Sequence, residues 1–383
     1  MAFAVALYPV MVMISSAVDL SRISQQQVRL QAALDVAALR VARQISDGTL
    51  TGDMSTVARA IVLANINPSE LRNVAVSAAL DGSSVRVNGS GQISPMAISL
   101  VSTGSLTISG TASAIWQTKK IDLVLVLDNT GSMASSNKMT ALKTAAKNLI
   151  STLSAAATRA DSVRIGIVPF DTQVNIGTTY RDETWLSYAG VSGLSASNWT
   201  GCVTDRNQSY DVDDTAPTSS TTAFPARNCT TGKLATILPL TTDWTALTNK
   251  VDAMNPSGNT NITIGLAWGL HMLTPSLPLT NARTLAQEPY LERIIILLTD
   301  GDNTQNRWSS TGSAIDARTD LACANVKSNG IRLYTIRVID GDAALLRRCA
   351  SQSTMYYEAS TADQLGPVFQ RIAAEISQLR LSQ

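Results

Sequence analysis

The sequence has little charge and only one histidine. Charged residues make up 15% of the 383 residues, and the formal net charge is +1. Surfaces that bind nucleic acid or acidic membranes concentrate positive charge, which this composition does not favour. One histidine and the lack of any C-x-x-C pair also make a zinc cluster a poor fit. We therefore expect no nucleic-acid partner and no zinc cluster.

Four cysteines are present: Cys202, Cys229, Cys323 and Cys349. They allow three pairings, of which Cys202 with Cys229 and Cys323 with Cys349 closes the shortest loops. Because disulfides persist in oxidising compartments, oxidised cysteines would place the C-terminal bulk outside the cytoplasm. Four buried free thiols remain the alternative.

The first eighteen residues, MAFAVALYPVMVMISSAV, carry no charge and precede Asp19. This length is at the short limit for a membrane-spanning helix, so we expect a membrane anchor over residues 1–20. A cleaved signal peptide and a buried core helix are the alternatives, although no basic segment precedes the apolar run. Since the sequence starts abruptly within that run, we expect a truncated anchor. Arg22 and Arg29 taken alone would put the C-terminal side in the cytoplasm.

Residues 21–120 change from a helical to a strand-like pattern. Apolar residues spaced by three and four over residues 23–45 predict an amphipathic helix that continues the anchor. The segments VAVSAAL, SVRVNGS and SLTISGTASAIW then alternate apolar with small polar residues, which predicts a small antiparallel sheet. A long helix followed by a short sheet is the layout of pilin-like proteins, so we expect a small pilin-like domain over residues 21–120, with an ordinary α+β domain as the alternative.

Residues 121–383 form a second predicted domain, in which apolar strands alternate with helices. Near-continuous apolar strands of this kind indicate a parallel sheet covered on both faces, with ligands at the carboxyl ends of the strands. We expect strands at residues 122–128, 162–170, 293–300, 331–339 and 355–359, and helices at residues 137–156, 243–254, 261–273, 314–328, 341–350 and 361–379.

Residues 171–240 interrupt this alternation. They lack a clear period, are rich in threonine, serine, asparagine and aspartate, and contain Cys202 and Cys229. Loops of this length inside a domain are usually functional or separately cross-linked. We expect an insertion held by a disulfide at the same edge of the sheet as Asp128.

Three separated segments place oxygen ligands at that edge. IDLVLVLDNTGSM brings Asp128, Thr130 and Ser132 to the end of a strand, GNTN opens a helix with Thr260, and TDGDN follows a strand with Asp300. Carboxylates and hydroxyls are hard ligands that suit Mg²⁺, with Ca²⁺ or Mn²⁺ as alternatives. Taken singly, Asp128 and Thr260 could each be a helix cap. Thr263, a turn inside the helix, is a weaker rival to Thr260.

Together the three motifs resemble the von Willebrand factor A domain and its metal-ion-dependent adhesion site. The family pattern is Asp-x-Ser-x-Ser, then Thr, then Asp; here Thr130 replaces the first serine. The resemblance covers residues 121–383 and implies a doubly wound, mostly parallel, Rossmann-like α/β sheet with helices on both faces. It also implies a divalent cation bound by the hydroxyls, often through water by the aspartates, with one open position for a partner's acidic group. The implied activity is adhesion rather than catalysis.

An enzyme is the alternative, since LDNTGSM also resembles the phosphorylation loop of P-type ATPases and haloacid-dehalogenase-like phosphatases. In those proteins an aspartate at the end of the first strand attacks phosphorus beside Mg²⁺. Thr130 stands where the phosphatases usually carry an acidic residue, the middle of the chain has no convincing lysine motif, and GNTN has no role in that mechanism. A Mg²⁺-dependent phosphatase or phosphotransferase with Asp128 as nucleophile is therefore the less favoured interpretation.

The N-terminal segment resembles TadE/TadG-type pilus-assembly proteins. They share an apolar span with a proline, an Ala-Val-Asp sequence, a basic residue and a Leu-Gln-x-Ala-x-Asp-x-Ala-Ala-Leu helix. The matching positions here are Pro9, Ala17 to Asp19, Arg22 and Leu30 to Leu39.

This second resemblance implies a non-enzymatic component of the bacterial tight-adherence (Flp, type IVb) pilus system. The expected location is the inner membrane, crossed once, with most of the chain in the periplasm or incorporated into a surface pilus. The expected partners are other pilus-assembly or pilin-like subunits, or a surface ligand bound through an acidic residue.

Overall fold

The chain divides into two compact units, Met1–Thr118 and Lys119–Gln383. A computed structural model describes residues 2–46, 48–82, 84–94, 105–115, 119–157 and 161–381, without the side chains of residues 2–15 and 379–381. In this described part no helix has a stretch long and apolar enough to cross a membrane. The anchor expected over residues 1–20 falls mostly on side chains outside the described part.

In its described residues, the first unit combines two helices with a three-stranded antiparallel sheet of order β1-β2-β3. Its elements are α1 (Ala2–Ser46), α2 (Met54–Asn65), β1 (Arg72–Asp81), β2 (Ser84–Ile93) and β3 (Leu106–Ile115). The predicted helix and alternating strands are all present.

One face of α1 forms the core of this unit. Leu30, Leu34 and Val41 recur at helical spacing and are fully buried. Gly89 in β2 allows this close packing, because a Cβ there would lie only 2.6 Å from Leu34 Cδ2. The helix thus rests directly on the backbone of the sheet.

The second unit is built on one large sheet. Its strands are β4 (Ile121–Asp128), β5 (Val163–Phe170), β6 (Val174–Asn175), β7 (Leu186–Ser187), β8 (Cys202–Val203), β9 (Phe224–Arg227), β10 (Leu238–Thr241), β11 (Glu292–Thr299), β12 (Arg332–Val338) and β13 (Tyr356–Ala359). The long strands run parallel in the order β13-β12-β11-β4-β5. From β4 the chain continues to β5 on one side and later to β11 on the other.

Helices cover both faces of the sheet, which confirms the predicted α/β fold class. They are α3 (Lys138–Ala156), α4 (Trp244–Asp252), α5 (Ile262–Met272), α6 (Gly312–Ser328), α7 (Ala343–Cys349) and α8 (Leu365–Leu381). The helices α3, α4 and α8 pack with Leu123, Leu125 and Leu127 of β4. The helices α5, α6 and α7 pack with Val124 and Val126 on the other face. The apolar run of β4 is continuous because both faces of the strand are buried.

The insertion at residues 171–240 extends the sheet instead of forming a structureless loop. The strands β6, β8 and β9 continue it beyond β5 in antiparallel fashion, β7 pairs with β9, and β10 pairs with β5. Strands of two to four residues are too short to show an alternating pattern. That is why the sequence showed no period here.

Both pairs of cysteines that close the shortest loops form disulfides. Cys202–Cys229 links β8 to the segment after β9, within the insertion. Cys323–Cys349 joins α6 to α7. Each bond therefore fastens elements of the second unit that already pack together.

Candidate metal-binding site

The candidate site lies where the strand order of the parallel sheet reverses. Neighbouring strands β4 and β11 pair with Leu127 opposite Leu298. Asp128 ends β4, and Asp300 directly follows β11. Because parallel strands end at the same edge, both aspartates reach the topological switch point, where open α/β sheets usually bind ligands.

The carboxylate of Asp128 is fully buried and held by two hydrogen bonds. The backbone N–H of Thr130 donates to Oδ1 at 2.8 Å, and Thr299 Oγ1 donates to Oδ2 at 2.6 Å. Burial raises the pKa of Asp128, the charge of Asp300 raises it further, and hydrogen bonds from Thr130 and Thr299 lower it. Asp128 does not cap α3, which begins only at Lys138.

Ser132 joins the loop that follows β4, here called the first loop, to the loop that follows β11, the third loop. Its hydroxyl donates to Asp300 Oδ1 at 2.6 Å and lies 3.0 Å from Thr130 Oγ1. Ser132 is exposed, whereas Thr130 and Asp300 are buried. Ser132 is therefore the solvent-exposed member of this group of three residues.

Thr260 lies in the second loop, which precedes α5, and this loop reaches the same group of oxygens. A Cβ on Gly301 would lie 3.3 Å from Thr260 Oγ1 and 3.5 Å from Ser132 Oγ. Glycine thus leaves open a recess bordered by hydroxyls from two other loops. Thr263, in contrast, lies inside the core, with its hydroxyl 2.9 Å from that of Thr319. The position before α5, rather than the one within it, adjoins the cluster.

The clustered oxygens fit a hard divalent cation. Two carboxylates and three hydroxyls from three loops are the donor types that Mg²⁺, Ca²⁺ and Mn²⁺ accept. No group of three or more histidine, cysteine, aspartate or glutamate side chains that could hold a metal ion occurs within the described residues. A cation here would depend on hydroxyl groups and water as well as on the two carboxylates.

The insertion contacts this edge of the sheet through Asp205. This buried carboxylate accepts hydrogen bonds from Asn261 Nδ2 at 2.9 Å and from the backbone N–H of Arg307 at 3.0 Å. Asn261 follows Thr260, and Arg307 lies in the loop that begins at Asp300. The insertion therefore supports the second and third loops of the site.

Three residues near the cluster were not predicted from the sequence. Thr299 binds the second oxygen of Asp128, and Lys138 forms a buried ion pair with Asp300 Oδ2. Asp171 follows β5, the strand beside β4, and is also buried. The available signal for Asp171 was its place at the carboxyl end of a strand, and the available signal for Lys138 was its place at the first position of a helix.

Comparison with known proteins supports the N-terminal resemblance. Residues 1–44 match the family model described as Flp pilus-assembly TadE/G-like, as predicted. No curated protein sequence matches the chain.

Solved structures with weak likeness to the chain include proteins of pili. The vWF domain of the type V pili tip protein Mfa5 from Porphyromonas gingivalis is 13% identical over 70% of this chain and 98% of its own, with a TM-score of 0.44. The pilus adhesin SpaC from Lactobacillus rhamnosus GG is 14% identical over 82% of this chain, which spans 36% of the length of SpaC, with a TM-score of 0.43.

A third likeness is to proximal thread matrix protein 1 from the mussel byssus, with a zinc-occupied MIDAS motif. It is 13% identical over 68% of this chain and 46% of its own, with a TM-score of 0.38. Identities and scores this low carry no conclusion about the site of this chain.

Proposed function

We propose that this chain is a non-enzymatic adhesion or assembly component of a bacterial tight-adherence (Flp) pilus. Its TadE/G-like N-terminal segment supports the role in a pilus. We further propose that the second unit binds an acidic group of a partner through a divalent cation, held by Asp128, Thr130, Ser132, Thr260 and Asp300. The observation that carries this proposal is the meeting of three loops at Gly301, joined by the hydrogen bond from Ser132 to Asp300.

The hydroxyls and the carboxylates of this site have different tasks. The hydroxyls of Thr130, Ser132 and Thr260 supply neutral oxygen ligands, while the buried carboxylates of Asp128 and Asp300 supply negative charge. A bound cation provides an open coordination position and positive charge for a partner carboxylate. Magnesium is the favoured ion, with calcium or manganese as alternatives.

The surroundings of Asp128 argue against the phosphatase alternative. A nucleophilic carboxylate needs an oxygen that a substrate can reach. Both oxygens of Asp128 accept hydrogen bonds, and the residue is fully buried. Geometry of this kind suits an aspartate that acts on a cation through water or through neighbouring hydroxyls.

The exposed side of α1 supports docking to pilin-like subunits. Val18, Val28, Val36 and Leu39 lie on one side of the helix and are 45–66% exposed, away from the buried face that contains Leu34. We propose that this apolar stripe packs against helices of other pilus subunits. Residues 1–20 would anchor the chain in the inner membrane, and the two disulfides fit an oxidising periplasm.

A co-purification experiment tests the role of the cation. The full chain and its Asp128→Asn variant would be used to recover pilus components in Mg²⁺ and in EDTA. We expect recovery by the wild type to fall in EDTA and the variant to recover little in either condition. Equal recovery in all four samples would exclude the cation from the interaction. Phosphatase turnover that Asp128→Asn abolishes would favour the enzyme instead.

A further inference from the structure

A lysine lies directly against the proposed metal site. The ammonium of Lys138 contacts Asp300 Oδ2 at 2.5 Å, and both side chains are at most 3% exposed. The other oxygen of Asp300 accepts the hydrogen bond from Ser132. Asp300 therefore faces a hydroxyl of the site on one side and a fixed positive charge on the other.

This position is unfavourable for a lysine on local grounds. Lys138 is the first residue of α3, where the helix dipole is positive and repels a cation. Burying an ammonium group also costs free energy unless an anion compensates it. Asp300 supplies that compensation, so the lysine and the aspartate stabilise each other across a separation of 162 positions in the sequence.

We propose that Lys138 sets the ligand specificity of the metal site through its charge, an inference that rests on the proposed function. In the absence of a cation, the ammonium group neutralises Asp300. With a divalent cation, two carboxylates and one ammonium group leave the site with one net positive charge. That charge favours an anionic ligand at the open position over water or a neutral oxygen.

A second aspartate near Lys138 does not remove this charge. Asp340 Oδ2 lies 3.7 Å from the ammonium group, but its side chain is 70% exposed. Water and salt screen an exposed carboxylate, whereas a buried pair is screened much less. The ion pair with Asp300 therefore dominates the electrostatics of Lys138.

Because the ammonium group of Lys138 repels a cation at the proposed site, it should weaken cation binding. This effect on affinity can be measured. Titration calorimetry of the full chain with Mn²⁺ would compare the wild type with Lys138→Met, which keeps an apolar stem, and Lys138→Arg, which keeps the charge. Lys147→Met is the matched control, because Lys147 lies on the same helix and pairs with Asp252 on the exposed side. We expect Lys138→Met to bind Mn²⁺ roughly tenfold or more tightly, and Lys138→Arg and Lys147→Met to stay within about threefold of the wild type.

The ligand is probed with acetate, which displaces water from bound Mn²⁺ and lowers its enhancement of water proton relaxation. At saturating Mn²⁺, we expect Lys138→Met to need on the order of tenfold more acetate than the wild type. Thermal unfolding in EDTA and in Mn²⁺ provides a second measurement if Lys138→Met folds poorly. Its melting temperature should fall in EDTA and recover in Mn²⁺ more than that of Lys147→Met.

The outcomes separate this inference from the proposed function. If the wild type binds Mn²⁺ and Lys138→Met binds it no more tightly, the role of Lys138 is excluded and the metal site stands. Equal gains in Lys138→Met and Lys138→Arg would also exclude a role for charge. Binding by Lys138→Met alone would support the inference. If no variant binds Mn²⁺, Mg²⁺ or Ca²⁺, the metal site and the role of Lys138 both fail.

Discussion

Two neighbouring strands of the second unit end in the same local structure but in different surroundings. Asp128 ends β4 and Asp171 follows β5, and both are buried. In each turn, Oδ1 accepts the backbone N–H two residues later, at 2.8 Å from Thr130 and at 2.7 Å from Gln173. Burial raises the pKa of both carboxyls, in Asp171 to about 7.

The second oxygen distinguishes the two positions. Asp128 Oδ2 accepts a hydrogen bond from Thr299, beside the loop that contains Asp300. Asp171 Oδ2 has no hydrogen-bond partner among the described residues, and a Cβ on Gly258 would lie 2.8 Å from it. We therefore expect an aspartate turn at a strand end to be insufficient for the proposed metal site. Hydroxyls and a second carboxylate from distant loops must also reach it.

The largest expected effect is a difference in cation binding between two isosteric substitutions. Asp128→Asn should weaken Mn²⁺ binding by about a hundredfold or more, because it removes one of two carboxylate charges from the proposed site. Asp171→Asn should change it by less than about threefold, since the site does not include Asp171. Titration calorimetry of both variants tests this. Similar losses in both would mean that the two turns belong to one site.

Filling the space beside Asp171 should destabilise the fold. Gly258 has φ +86°, and an added Cβ would approach the Asp171 carboxylate. We expect Gly258→Ala to lower the free energy of unfolding by roughly 2–4 kcal/mol. Gly232→Ala is the control, because its Cβ would have no neighbour within 4 Å. Urea unfolding of both variants should show the large loss only for Gly258→Ala.

The raised pKa of Asp171 predicts a pH dependence that Asp171→Asn lacks. Between about pH 4 and pH 7 the folded carboxyl keeps a proton that the unfolded chain has released, so rising pH favours unfolding. The wild type should therefore lose on the order of 3 kcal/mol relative to Asp171→Asn across this range. Urea unfolding of both proteins in EDTA at several pH values measures the difference. Parallel pH profiles would show that folding does not raise the pKa of Asp171.

The smallest expected effect comes from the departure from the Asp-x-Ser-x-Ser pattern. Thr130→Ser retains the hydroxyl that lies 3.0 Å from Ser132 Oγ and removes only a methyl group. Mn²⁺ affinity should change by less than about threefold, whereas Thr130→Val, which removes the hydroxyl, should weaken it by roughly tenfold. If Thr130→Val binds Mn²⁺ as the wild type does, the hydroxyl of Thr130 is not a ligand.

The sequence predicted the elements that carry the candidate site but not its internal contacts. The apolar run of β4 identified the strand that ends at Asp128, and α3 and α5 begin within one residue of their predicted starts. Apolar periodicity involves residues that are close together in the sequence, so it can be recognised from the sequence alone. The functional assignment of the five ligand residues stays a prediction.

Contacts between distant loops were not predictable in the same way. The pairing of Lys138 with Asp300 depends on the rotation of α3 over the sheet, and the orphaned oxygen of Asp171 depends on how closely the loop at Gly258 approaches. Neither leaves a periodic signal in the sequence. The short strands of the insertion were missed because they are stabilised by pairing with the sheet rather than by their own pattern.

The distance in sequence between the joined loops has a consequence for biosynthesis. Ser132 and Asp300, which share a hydrogen bond, are separated by 168 positions. A growing chain presents Asp128 and Ser132 long before Asp300 leaves the ribosome, so the early loop alone offers one carboxylate and weak ligands. Only a chain that has been synthesised past Asp300 and has paired β11 with β4 assembles the whole set. Under the proposed function, an unfinished chain would therefore offer a partner no complete metal site.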